Sequence, residues 1–118
     1  MNKEERLYSL DKLTEMDGAD SEFIRQIIDI FLSTVPASAE ELMQAYMNKD
    51  LETVYFIAHK MKANINLLNI HHIKDDILLV EQSAKSGTNT ESMGEKINHI
   101  LEIVNEASKQ MKEDFQEQ

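Results

Sequence analysis

Between Leu51 and Leu68 the apolar residues Leu51, Val54, Ala58, Met61, Ile65 and Leu68 follow one another at spacings of three and four. Only an α-helix gathers that period onto one side. The same rhythm returns in Phe23, Ile24, Ile27, Ile28, Phe31 and Leu32, behind a helix start at Asp20-Ser21-Glu22. It recurs in Ala39, Leu42, Met43, Tyr46 and Met47, in Ile73, Ile77, Val80 and Ala84, and in Met93, Ile97, Ile100, Val104, Ala107 and Met111. Three glycines and one proline supply too few turn residues for a sheet protein. The expected fold is all-α. Short linkers make consecutive helices antiparallel, and four amphipathic helices so joined bury one another's stripes as an up-down-up-down bundle. An additional N-terminal helix carrying Leu7, Tyr8, Leu10, Leu13 and Met16 is expected to pack over one end.

Punctuation between the stripes sets the expected boundaries. Pro36 ends the first long helix or turns it sharply, and a further helix runs over about 37 to 48. Asp50 caps the next, which stops before Asn69, a residue tolerant of left-handed backbone. Gly87 stops the fourth, and Gly94 weakens only the first turn of the last. Asp17-Gly18 reads as a turn, and the polar tail after Met111 as a frayed end.

A chain of 118 residues is one domain by length, 1–118 with a core of about 8–112. Its net charge of -10 repels polyphosphate backbones and anionic lipid, so neither nucleic acid nor membrane is an expected partner. Most of that acidity is the ordinary solvated surface of a bundle. No cysteine is present, which removes disulfides, thiol nucleophiles and thiolate metal sites and agrees with a cytoplasmic setting. The charged start leads to no apolar run of signal or spanning length.

At about 100° per residue, His59 lies well over 90° from the centre of the 51–68 stripe, so its imidazole is expected in solvent. Tyr55 stands one turn before it, Lys62 and Ala63 one turn after, and Asn66 two turns on. If a phosphoryl group were attached to the imidazole, Lys62 would neutralise part of its charge and small Ala63 would leave room for a partner, but on spacing alone an exposed His with a Lys three residues later is more often an ordinary surface pair. Lys62 lies outside the apolar stripe, so its removal is expected to spare the fold. Phe56 and Leu67 are apolar on the outward half of the same helix: Leu67 is expected under the N-terminal helix, Phe56 either covered or in a docking patch.

With Ala58-His59-Lys60-Met61-Lys62-Ala63 at its centre, the chain from Tyr8 to about Met111 resembles the histidine-containing phosphotransfer (HPt) domain of bacterial multistep phosphorelays. The family pattern is a small residue, His, any residue, an apolar residue, Lys and Gly. Leu10-Asp11-Lys12-Leu13, Asp17-Gly18-Ala19-Asp20 and the run from Phe23 to Leu32 resemble its N-terminal segment and first helix, and Asn48-Lys49-Asp50 its short polar turn. The resemblance implies that His59 accepts a phosphoryl group on Nε2 from an aspartyl phosphate and passes it on reversibly, with Lys62 beside it. Ala63 is then the small residue that permits close approach, and Tyr55, Phe56 and Asn66, placed around His59 by the helix, are with it the expected partner-binding positions. The implied partners are response-regulator receiver domains and a hybrid sensor histidine kinase. No cofactor is expected on this chain, because the receiver brings its own magnesium. Ala63 stands in place of the family's usual glycine, Asn64 in place of a common serine, and Asn69 in place of another glycine.

Other chemistries fit less well. Gly18, Gly87 and Gly94 are too far apart for a phosphate loop, so autonomous use of ATP is not expected, and the resemblance implies a phosphocarrier instead. The acidic residue that follows the histidine of a sensor kinase's own acceptor helix is absent, Lys60 standing there instead. Adjacent His71 and His72 would point about 100° apart on a helix and share no ion easily, His99 falls on a polar flank, and no HExxH occurs. A noncatalytic helical adaptor using the His59 face is the alternative reading. A monomer is expected, since dimerisation through that face would hide the acceptor.

Overall fold

The computed structural model describes residues 5–88 and 90–115. Its helices are α1 (Asp11–Thr14), α2 (Ser21–Met47), α3 (Leu51–Leu67), α4 (Lys74–Ser86) and α5 (Met93–Phe115), with 3-10 turns at His71–Ile73 and Thr90–Ser92. Among the described residues there is no strand, so the fold is all-α as the spacing requires. No helix among them is long and apolar enough to cross a membrane.

Pro36 neither ends nor divides its helix: α2 runs unbroken through it for 27 residues. The expected second helix over about 37 to 48 is the latter part of α2. Proline removes one backbone donor and crowds the carbonyl four residues earlier, at a cost of about 3 kcal/mol. The helix continues because the stripes on either side of Pro36 are in phase. Ile28, Phe31, Val35, Ala39 and Leu42 are all buried at spacings of three and four, so a break would take one half out of the core. At about 1.5 Å per residue, α2 spans about 40 Å, nearly the 42 Å long axis of the molecule.

Both turns flanking α3 end their helices in the same way. Asp50 N–H donates to the Ala45 carbonyl at 2.9 Å and Lys49 N–H to Tyr46 at 2.9 Å, with Lys49 left-handed at φ 60°. After α3, Ile70 N–H donates to Ile65 at 3.0 Å and Asn69 N–H to Asn66 at 3.1 Å, with Asn69 at φ 50°. These are Schellman closures, which satisfy the last carbonyls and turn the chain out of the helix within a few residues. Asp20 and Asp50 cap the starts of α2 and α3, accepting from the backbone of Phe23 at 2.9 Å and Thr53 at 3.2 Å. Gly87, left-handed at φ 74°, closes α4.

Each long helix packs against two others: α2 against α3 and α5, and α4 against the same pair. The stripes of α3, α4 and α5 are buried as expected, with Leu51 only partly covered and Ile57 added. In α2, Met47 points outward and Ala45 inward, the reverse of the expectation for Met47. The tail after Met111 stays helical to Phe115 instead of fraying. Arg6 bonds the Asp114 carboxylate at 2.7 Å, Tyr8 donates to the same carboxylate, and Arg25 donates to the Phe115 carbonyl. Residues 116–118 of that tail lie outside the described residues. The N-terminal segment reaches α3 as well, since Ser9 N–H donates to the Leu68 carbonyl at 2.8 Å and Leu13 is fully buried. Met16, expected to pack with it, is exposed.

Candidate functional site

His59 sits on the polar side of α3 with its side chain 57% exposed, where the helical spacing puts it. Its ring is not loose. Nδ1 lies 2.6 Å from Oε2 of Glu81, and Lys62 Nζ donates to Oε1 of the same carboxylate at 2.8 Å. One turn of α3 thus brings an imidazole and an amine to the two oxygens of a single acid on α4.

Glu81 is buried, only 7% exposed, and belongs to the inward side of α4 with Ile77, Val80 and Ala84. Burial pushes its carboxyl up, but the hydrogen bonds from Lys62 and His59 and their charges outweigh burial and hold it below its ordinary value. An ionised carboxylate only accepts, so the Nδ1 facing it carries the hydrogen. In the neutral ring the lone pair then resides on Nε2, for which the described residues provide no partner. The site therefore offers a fixed tautomer with its nucleophilic nitrogen outward and a cation one turn away.

Around the ring the aromatic neighbours form a graded surface. Tyr55 stacks on His59 at 5.8 Å between centroids and 20° between planes, and Phe56 meets Tyr55 edge-on at 5.6 Å. Phe56 is 56% exposed, so the covered alternative for it does not hold. A cleft of about 350 Å³ lined by Glu52, Tyr55, Phe56, Ala84 and Lys85 opens beside this pair. Ala63 is exposed one turn beyond His59. The Asn66 side chain is exposed too, while its carbonyl accepts from Lys12 Nζ at 2.9 Å, which ties that end of the surface to α1. Leu67 is half-buried against the core.

Glu81 went unrecognised in the sequence, although a signal was there. It stands four residues after Ile77 and three before Ala84, so it occupies a core position, and an acid there requires cationic partners. The remaining histidines are elsewhere. His71 and His72 are exposed on the 3-10 turn with their rings stacked at 4.7 Å, not splayed as on an α-helix. His99 on α5 is bonded to Asp76. Among the described residues no group of three or more His, Cys, Asp or Glu side chains is placed to hold a metal ion. Comparison with protein-family models, curated proteins and solved structures returns no match to this chain.

Proposed function

We propose that this chain is a phosphorelay intermediate of the HPt kind. His59 accepts a phosphoryl group from the aspartyl phosphate of a receiver domain and passes it to another receiver, reversibly. The observation that carries this reading is the Nδ1 contact to Glu81, which turns Nε2 into the outward nucleophile. Its lone pair attacks phosphorus, the P–O bond to the receiver's aspartyl carboxyl breaks, and the carboxylate leaves. The Nδ1 proton stays against Glu81, which balances the positive charge the ring acquires on bonding phosphorus. Lys62, already at Glu81, lies one turn from the incoming phosphoryl oxygens, and such transfers depend mainly on alignment and charge neutralisation. Magnesium belongs to the receiver in this scheme.

The finer architecture is part of the same reading. The four long helices are taken as an antiparallel up-down-up-down bundle with α1 over one end, supported by the short closures on both sides of α3 and by the ring of helix neighbours. Phe56 and the adjacent cleft are assigned to receiver docking, with Tyr55 and Ala63 around the acceptor and Asn66 at the far edge. Exposed Phe56 also favours the second reading, a noncatalytic helical adaptor.

One experiment separates the two. The chain is incubated with a phosphorylated receiver, and acid-labile, base-stable phosphate is measured on it and on His59→Gln. Transfer to the wild type that falls to background in the variant is the expected result. Equal labelling of both removes His59 from its role, and receiver binding without labelling selects the adaptor.

A further inference from the structure

Helix α4 carries a second carboxylate that does to α5 what Glu81 does to α3. Asp76 Oδ2 lies 2.5 Å from Nδ1 of His99, and Lys96 Nζ stands 3.9 Å from Oδ1 of the same acid. Asp76 and Glu81 are five residues apart, about 140° around the helix and about 7.5 Å along it, so each faces a different neighbour of α4. Histidine and lysine are three residues apart in both cases, His59 before Lys62 on α3 and Lys96 before His99 on α5. The Asp76 side chain is 17% exposed and that of His99 44%, and Nε2 of His99 has no partner among the described residues. His71 and His72 also expose their rings, but no carboxylate of the described residues holds them.

We propose that His99 is a second nitrogen nucleophile for activated phosphoryl donors of the acyl phosphate or phosphoramidate class, with Asp76 as its positioning residue. An accepting carboxylate at Nδ1 fixes the hydrogen there and presents the Nε2 lone pair outward. With phosphoramidate in its zwitterionic form, whose nitrogen already carries three hydrogens, that lone pair attacks phosphorus, the P–N bond breaks, ammonia leaves with its bonding pair, and the Nδ1 proton remains shared with Asp76. Lys96 is held more loosely than Lys62, so reaction at His99 is slower than at His59. This assignment goes beyond the receiver-dependent reading of His59 and does not need a receiver.

The test treats the whole chain with potassium phosphoramidate and maps acid-labile phosphate at each histidine over time by mass spectrometry under basic conditions. His71 and His72 serve as exposed comparators within the same molecule. A charge-assisted contact of this kind corresponds to an initial rate at His99 about tenfold above theirs. Asp76→Asn is expected to bring His99 down to the rate of the comparators while His59 is labelled as before, a selectivity that general loosening of the fold would not give. Labelling of His99 no faster than His71 and His72 overturns the proposal, as does an Asp76→Asn chain whose His99 keeps its rate or whose histidines all change together. Because the donor is a small molecule, failure of receiver transfer to His59 would leave this result standing, and the reverse also holds.

Discussion

At the scale of single residues, Glu81 is the group on which the candidate site turns. A carboxylate this well buried is tolerable only while both of its oxygens are occupied, and His59 and Lys62 occupy them. Removal of Lys62 therefore costs more than its position outside the apolar stripe implies. Lys62→Ala is expected to lower stability by about 1–2 kcal/mol, read from the urea midpoint, and to slow receiver transfer by about tenfold or more. Because the folded value of Glu81 is held below its ordinary one, its contribution to stability is present above the unfolded carboxylate value and is lost as pH falls through the lower native value. Glu81→Gln is expected to flatten that acid limb in denaturation profiles recorded at falling pH. It is also expected to slow transfer to His59, since a neutral amide does not stabilise the charged ring.

At the scale of elements, two local strains persist because the helices they belong to are packed. The proline within α2 is retained against its intrinsic cost by burial of Phe31 and Val35 on one side and Ala39 and Leu42 on the other. Pro36→Ala is expected to raise stability by about 1–3 kcal/mol, with circular dichroism showing no change in helical content beyond the restored bond. Lys49 closes α2 with a left-handed backbone that costs a side-chain-bearing residue about 1 kcal/mol. Replacement of this exposed residue by glycine is expected to gain about 0.5–1 kcal/mol in urea unfolding. Asn69 holds the matching position after α3 with less penalty, and its side chain also accepts from Lys74 at 2.6 Å.

At the scale of the whole molecule, the N-terminal segment fastens helices that are distant in sequence. Leu7 N–H donates to Gln110 Oε1 at 2.8 Å and Gln110 Nε2 to the Glu5 carbonyl at 3.2 Å, while Ser9 and Lys12 hold the end of α3. Leu13 supplies the buried plug of this strap. Leu13→Ala is expected to destabilise the fold by about 2–4 kcal/mol in equilibrium urea unfolding. Phosphoramidate labelling of His59 in the folded variant is expected to be unchanged, because the hydrogen bonds that hold Glu81 and the imidazole run between α3 and α4.

Much of the fold was legible from one dimension. Helical class, the stripes of α3, α4 and α5, the caps at Asp20 and Asp50 and the stops at Asn69 and Gly87 all depend on neighbours within a turn or two, which spacing and residue type encode. The outward face of His59 is of that kind too. Continuity through Pro36 was not legible, because local propensity argues for a break and only burial along the full length of α2 outweighs it. The helical end of α5 likewise rests on Arg6, Tyr8 and Arg25, contacts made across most of the chain. Above all, sequence placed an imidazole and an amine on one face of a helix, but their shared carboxylate arrives from another helix. Which side chain fills a polar gap between two packed helices is fixed by their register, and register exists only once the core has closed.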